Sequence, residues 1–590
     1  MADQMFHAAS LGADRTNFTL VTTASELSSV QTALRSEALL ALDTETTGLR
    51  PFHDSRLRLL SLCVDGVRPW VIDCFKVDPR PLLASFRRKV IVAHNWAFDA
   101  PFLAPHGFDF AANSLRDTFI ASFLLTCGHG SSNSLGKVLY DNLGIEVDKT
   151  LQKSDWSGEL TPEQLAYAAA DTTHLLPLHR SLRERIQTDG LTKVWHLEHL
   201  VLKAVLWMRM TGIKVDHNKW VTLYNAAIAK RTRLSAELNK MVPPRQFSKA
   251  PWNWRKPWDI KQAAGRMNVF LPSTTKATMA LHADNDFVRN ILEWRRCDQI
   301  LKSFGPAWFR HEGIGGAVHA EFRQCLPMTG RFSCTEPNMQ QIPRGGHRKC
   351  FVAPIGHSIV KADYSTLELR LMAKIAKEKN MAKAFLQGVD LHMQTAQNVL
   401  GKESPTKADR SLAKALNFGL IYGCGPKALR EQLAANWGIV LPLTKTAAMR
   451  TAFFKAYPDL KRYHSKMKGP GEPVSRTPWG RVRHGMGPVM KESKWGKKLS
   501  EQFTKKCNTL VQSTAADGMK KAVAAVWTKR KSFDFKMLLV VHDEIVLVCP
   551  TPIANDVAEW LKGIMIKAMQ PLLGRIPCEV ETSVGDSWGG

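Results

Sequence analysis

The apolar positions of this chain change their period along its length. Over about residues 17–190, short apolar runs such as L-L-A-L at 39–42 and V-I-V-A at 90–93 alternate with segments of helical spacing that begin at Asp117 and Pro162. Runs of four bounded by polar turns predict strands, and the longer spacing predicts helices, so this stretch is expected to be an α/β domain. A helical segment at about 191–210 leads into G-I-K-V-D at 212–216, where the chain is expected to enter a second domain. Further on, H-S-I-V-K-A-D-Y-S-T-L-E-L-R reads as a strand that ends at Asp363 and runs directly into a helix. Near the carboxyl end, M-L-L-V-V-H-D-E-I-V-L-V reads as a hairpin with Asp543 and Glu544 at its tip. Residues 243–258 break the pattern with prolines and basic residues and predict a loop, and a second basic, glycine- and proline-rich stretch covers 461–506.

At 590 residues the chain exceeds the size of one core, which implies two or more domains. Lysine and arginine number 81 against 53 acids, a net charge of +28, which favours a polyanionic partner such as nucleic acid; the plainer alternative is charge for solubility. In the 243–258 loop, Trp252, Trp254 and Trp258 beside Arg255 and Lys256 fit either a grip on nucleic acid or, as the favoured reading, anchors of the loop to its own domain. The 11 cysteines are scattered with no C-x-x-C pair, so neither a zinc site nor a disulfide framework is indicated and a reducing compartment is expected. The amino terminus lacks the pattern of a signal or transit peptide, and no apolar stretch is long enough to span a bilayer. A cytoplasmic location with no membrane partner is the resulting expectation.

The acids cluster in spite of this cationic background. In A-L-L-A-L-D-T-E-T-T-G-L, Asp43 and Glu45 lie two apart on the expected strand and so share a face. Asn95 and Asp99 in H-N-W-A-F-D, and Tyr167 and Asp171 in Y-A-A-A-D, are four apart, one helical turn. Carboxylates from a strand and two helices can converge, and hard oxygen ligands suit magnesium or manganese in phosphodiester hydrolysis. Taken singly, each has a structural alternative: Asn95 suits a helix cap, and Asp171 a solvated helix face. Their order and spacing together resemble the three exonuclease motifs of the DEDDy proofreading family. That resemblance implies an RNase H-like domain at residues 1–190, with Asp43, Glu45, Asp99 and Asp171 holding or supporting two divalent ions. It also implies that Tyr167 orients the attacking water and Leu49 wedges against the terminal base, while Asp117 in R-D-T reads as structural.

Between the two later acids lies D-R-S-L-A-K-A-L-N-F-G-L-I-Y-G, in which Arg410, Lys414, Phe418 and Tyr422 recur every fourth residue along one helix face. Thr406 and Asp409 are expected to cap this helix, and Gly423, Gly425 and Pro426 to end it. Ser365 and Glu368 also have capping-box spacing, which gives Glu368 a purely structural alternative. From about residue 200 to its end the chain resembles the polymerase portion of family A DNA polymerases, the bacterial DNA polymerase I type. The resemblance implies a right-hand domain at 191–590, with a thumb at about 212–315, a palm at about 316–385 and 500–590, and fingers at about 386–499.

By the same matching, Asp363 and Asp543 would hold two ions, magnesium or manganese, with Glu544 in support. Arg410, Lys414 and His392 would meet the triphosphate of an incoming deoxynucleotide, Phe418 its sugar and base, Tyr422 the templating position, and Glu368 would exclude a ribose 2′-hydroxyl. Arg331, Asn338 and Gln340 in T-G-R-F-S-C-T-E-P-N-M-Q, with Asn508, Gln512 and His542, would touch primer-template DNA. Val540 replaces a glutamine and Thr504 an arginine expected in the family, which bears on minor-groove contacts and not on the chemistry. The expected function is template-directed DNA synthesis with 3′ to 5′ proofreading, in replication or repair, by a monomer. Because the editing motif begins by Asp43, the family's amino-terminal 5′ nuclease is expected to be missing, which with the lack of a transit peptide points to a phage gene acting in a bacterial cytoplasm, with a bacterial chromosomal gene as the alternative. The competing reading is a degradative 3′ to 5′ exonuclease with a non-catalytic polymerase-like DNA-binding module; a third is a nucleic-acid binder without activity.

Overall fold

The structure, a computed structural model, describes residues 17–245, 250–468, 474–493, 496–500 and 502–590. It divides into two compact units, one holding residues up to 210 with 322–328 and 479–482, the other holding the rest. Residues 246–249 of the tryptophan-rich loop, and 469–473, 494–495 and 501 of the later basic stretch, lie outside the described residues.

The first unit is built on six strands: β1 (Thr19–Val21), β2 (Leu39–Thr46), β3 (Leu57–Cys63), β4 (Trp70–Asp73), β5 (Val90–Ala93) and β6 (Ser114–Asp117). Their order is β1-β4-β3-β2-β5-β6, with β3 antiparallel to both β2 and β4, and the β1–β4, β2–β5 and β5–β6 pairs parallel. All seven residues of β3 are buried, as are Leu40, Ala41 and Leu42 of β2, so the centre of the sheet is largely apolar on both faces, and the acids of β2, Asp43 and Glu45, lie in the carboxyl-terminal half of that strand. The helix Pro162–Thr173 starts with proline at its first position and a reciprocal capping box between Thr161 and Gln164. The helix Thr192–Thr211, expected to lead into the next domain, packs within this unit: Val201, Leu202, Ala204 and Val205 are wholly buried, and His199 Nε2 accepts from the Asp117 amide.

The second unit carries a four-stranded antiparallel sheet of β7 (His357–Tyr364), β8 (Lys536–Val541), β9 (Glu544–Pro550) and β10 (Val580–Gly585), in the order β8-β9-β7-β10. The long helix Phe503–Thr528 lies against helix Ala554–Leu573, and Gly518 allows the close approach, since a Cβ there would collide with the Met569 thioether. A separate pair of helices, His217–Met241 and Asp286–Ser303, encloses a core that includes Trp254, with Trp252 packed against it. Arg255 pairs with Asp298 at 2.6 Å. Two of the three loop tryptophans are therefore anchors, whereas Trp258 is exposed. None of the described helices is long and apolar enough to cross a membrane.

One buried acid ties the first unit together. Asp117 caps the helix Thr118–Thr126 by accepting from Phe119 and Ile120, and it also accepts from the amides of Asn95 and Trp96 at the start of helix Trp96–Leu103. Asn95 occupies the cap position in a left-handed conformation, φ 77°, with no side-chain cap bond of its own. Asp117→Ala would strand several buried donors, so it is expected to lower the stability of this unit by about 3 kcal/mol or more. Chemical denaturation measures this, and an unchanged midpoint would contradict the assignment.

Candidate active sites

In the first unit, strand β2 ends over a cavity of about 780 Å³ lined by Asp43, Glu45, Asp99, Tyr167 and Asp171. Asp43, Glu45 and Asp171 each offer a carboxylate oxygen, and these oxygens lie within 4.8 Å of one another. Asp99, from helix Trp96–Leu103, lines the same cavity but stands outside that trio and accepts from the Thr44 hydroxyl at 2.6 Å. Tyr167 and Asp171 project from one side of helix Pro162–Thr173, as their spacing requires. Leu49, largely exposed, stands at the rim.

Packing these acids together penalises their ionisation. Burial, then the charges of Asp171, Asp99 and Glu45, raises Asp43 well above the usual carboxylate range. Burial and Asp171 raise Glu45 to about 8, and burial raises Asp99 to about 7. An all-oxygen set that resists ionisation when bare fits a hard divalent cation, which would neutralise the acids it binds. The spacing did not disclose Lys149, whose Nζ donates to both Asp171 oxygens at 2.5 and 2.7 Å.

In the second unit, Asp363 near the end of β7 stands in register with Glu544 of β9 and Glu581 of β10. His542 and Asp543 form the two-residue turn between β8 and β9, with His542 at φ 56°, so Asp543 is at the tip and Glu544 already belongs to the strand. The amide of Tyr364 donates to the Asp543 carbonyl at 3.2 Å, which pins the hairpin tip beside the end of β7. Asp363, Asp543, Glu544 and Glu368 line one cavity of about 310 Å³ together with Arg331, Arg344 and Arg348. Burial and Glu544 raise Asp363 to about 6. Burial raises Asp543 to about 7, with Arg331 opposing and Glu368 and Asp363 adding to it.

One structural alternative falls away here, and one expectation needs correction. Glu368 is not a helix cap: Thr366 occupies the cap position with no side-chain bond, and the Glu368 carboxylate accepts from Arg331 and from the Tyr422 hydroxyl. Tyr422 is not on the helix of Arg410, Lys414 and Phe418, because that helix spans Lys407–Leu420 and Ile421 caps it. The Thr406–Asp409 capping box forms at its other end as expected. Arg410 pairs with Asp390 at 2.7 Å, and Lys414 is exposed. His392 is buried, 6.1 Å from the Phe418 ring centroid, with Nδ1 2.9 Å from the Asn417 amide nitrogen.

The remaining polar residues are dispersed over the second unit, except His542, which lines the cavity of Asp363 and Asp543. Asn338 caps the short turn Met339–Gln341, and Gln340 donates to the Phe332 carbonyl at 3.3 Å. Asn508 and Gln512 lie one turn apart on helix Phe503–Thr528, and His542 is exposed. Val540 is wholly buried in β8 and Thr504 is exposed. Sequence reasoning also missed Arg344 and Arg348, and Trp588, whose Nε1 donates to Glu544 at 2.8 Å while Arg348 lies 3.4 Å from the same oxygen.

Comparison with known proteins adds the family. Residues 18–187 match the family described as 3′-5′ exonuclease, and residues 259–590 match DNA polymerase family A. The chain belongs to DNA polymerase family A. This polymerase is 30% identical over 584 residues to DNA polymerase I of Aquifex aeolicus, covering 94% of the chain and 96% of that protein. It is 28% identical to DNA polymerase I of Pseudomonas aeruginosa, covering 94% of the chain and 64% of the relative. Its fold is similar to that of the POL domain of Pol1 from M. smegmatis in complex with DNA primer-template and dNTP, with a TM-score of 0.81 at 20% identity, covering 97% of this chain and 99% of that one. The polymerase thus couples DNA synthesis to a 3′-5′ exonuclease domain, and the expected order of the two along the chain is the observed one.

The raised carboxylates set a pH dependence. Without ions, the folded state keeps protons on Glu45 and Asp99 that the unfolded chain has lost above its ordinary carboxylate pKa, so their contribution to stability falls as pH rises from about 4 to about 8. In chelator, the exonuclease unit is expected to melt at lower temperature at about pH 8 than at about pH 6, and Asp43→Asn with Glu45→Gln should remove most of that difference. Magnesium should raise the wild-type melting temperature more at the higher pH. Equal shifts at both would contradict this.

Proposed function

We propose that the two acidic cavities are the two active centres of the polymerase, with Asp363 and Asp543 serving synthesis and Asp43, Glu45, Asp99 and Asp171 serving excision. The single observation that carries the reading is the register of β7 against the β8–β9 hairpin, which brings a strand-end aspartate and a hairpin-tip aspartate to one cavity. Each centre takes two divalent ions, magnesium or manganese, which when bound lower the pKa of the attacking oxygen and neutralise the leaving one.

In synthesis, Asp363 and Asp543 hold the ions and Glu544, oriented by Trp588 and Arg348, adds negative charge behind them. Arg410, Lys414 and His392 bind the triphosphate of the deoxynucleotide, Arg410 exchanging Asp390 for phosphate. Phe418 packs on its sugar and base. Glu368, fixed between Arg331 and Tyr422, leaves no room for a 2′-hydroxyl. Arg331, Asn338, Gln340, Asn508, Gln512 and His542 hold primer-template DNA, so that base pairing reads the sequence and the protein tests the shape of the pair. In excision, Tyr167 orients the water and Leu49 wedges at the terminal base. The helices around residues 217–303 serve as the thumb, about 316–385 and 500–590 as the palm and about 386–499 as the fingers. The protein acts as a monomer in replication or repair.

Asp543→Ala is expected to abolish primer extension and leave excision intact, and Asp43→Ala with Glu45→Ala to do the reverse, as read on matched and mismatched primers with and without nucleotides. Loss of both activities in both folded variants would contradict separate centres. With about 6 to 10 phosphate contacts, DNA affinity should fall by roughly three to five orders of magnitude between about 50 and 200 mM salt. A flat response would argue against a basic DNA cleft.

A further inference from the structure

Lys149 belongs to none of the motifs of the excision site, yet its ammonium lies among the acids. Besides its two bonds to Asp171, Nζ stands 3.4 Å from the Tyr167 hydroxyl and 5.0 Å from the centroid of that ring. Its stem is built into the wall. It runs beside Gly136 of the helix Leu135–Leu143, where a Cβ would stand in ordinary contact, 3.7 Å from Lys149 Cγ. The residue lines the same cavity and its side chain is only 26% exposed. Lys149 is also the cation whose charge opposes the mutual repulsion at Asp43 and Glu45.

An ammonium bridging both oxygens of Asp171 and a divalent ion bound to the same carboxylate repel each other at short range. One must give way. The same ammonium touches Tyr167, the residue on the next turn of the same helix, so it spans the acid and the phenol that excision uses together. A mobile lysine head on a fixed stem can leave Asp171 without leaving the site.

We infer that Lys149 is a positioning residue of the excision site: it holds Asp171 and Tyr167 in register until a divalent ion displaces it from Asp171, and so sets the ion concentration at which excision begins. This rests on the reading that Asp43, Glu45 and Asp171 hold the ion. The test is manganese binding to the full chain carrying Asp363→Ala, which removes a ligand of the synthetic site, followed by electron paramagnetic resonance. Excision of a single-stranded oligonucleotide against magnesium concentration is measured in the chain otherwise unchanged.

Lys149→Met is expected to tighten manganese binding at the excision site by about fivefold or more, because the competing charge is gone. Its excision rate at saturating magnesium should fall about tenfold or more, because Tyr167 loses the ammonium that stays beside it once the ion has taken Asp171. Lys149→Arg, whose planar fork clasps a carboxylate with two donors, should bind manganese no more tightly than the unsubstituted chain and keep more of the rate than Lys149→Met. Unchanged or weakened manganese binding in Lys149→Met, or tighter binding in Lys149→Arg, would overturn the inference. Asp43→Ala with Glu45→Ala separates the two failures. If that pair leaves manganese binding intact, the ion is not held there; if it abolishes binding while the Lys149 variants leave it unmoved, only the role of Lys149 fails.

Discussion

Like charge confined at the end of a β-strand is the constraint on which both centres depend. Two unit charges about 4 Å apart in surroundings of effective dielectric about 20 repel by about 4 kcal/mol, and the excision cavity holds several acids at such separations. Burial and mutual repulsion keep Glu45 and Asp99 protonated up to about 8 and about 7 when bare, and the remaining cost falls on folding as pH rises. A divalent cation bound among these acids would offset their repulsion and favour their ionised forms. The cavity of Asp363 and Asp543 shows the same effect more mildly, with Asp363 near 6 and Asp543 near 7, because Arg331, Arg344 and Arg348 supply compensating charge around it.

Both centres obtain their geometry from sheet register. In the first unit the period of two along β2 turns Asp43 and Glu45 to one side, while the apolar residues before them fix the strand in the middle of the sheet. In the second, the antiparallel pairing of β7 with β9 sets Asp363 opposite Glu544, and a two-residue turn then leaves Asp543 beside it. A slip of one residue in either register would turn the acids into the core. The buried flanking residues, Leu42 and Thr44 in one case and Ala362 and Val541 in the other, make such a slip expensive.

Local periodicity and caps were legible because they are short-range. Strands at 39–42 and 90–93, helices from Asp117 and Pro162, and the box at Thr406 and Asp409 all follow from spacings of two to four residues, whereas the pairing of the Asp363 strand with the distant hairpin does not. What escaped was contact between distant segments. Glu368 has the spacing of a cap but is claimed by Arg331 and Tyr422, 37 and 54 residues away. Tyr422 follows the fourfold rhythm of its neighbours, but the helix stops before it, at Leu420. Lys149 lies in an irregular connection that carries no period, and Trp588 reaches Glu544 from 44 residues away. Nothing in local pattern marks a lysine or a tryptophan as the partner of a particular acid.

Iron-mediated cleavage reads out the two carboxylate centres, since ferrous ion placed where magnesium would bind generates hydroxyl radicals that cut the backbone nearby. With ascorbate and peroxide, the account predicts two sets of cuts, one around residues 43–45, 99 and 171 and the other around 363 and 543–544, both suppressed by excess magnesium. Asp43→Ala with Glu45→Ala should erase only the first set and Asp543→Ala only the second. Cuts confined to other segments, or both sets vanishing together in either folded variant, would contradict two independent carboxylate centres.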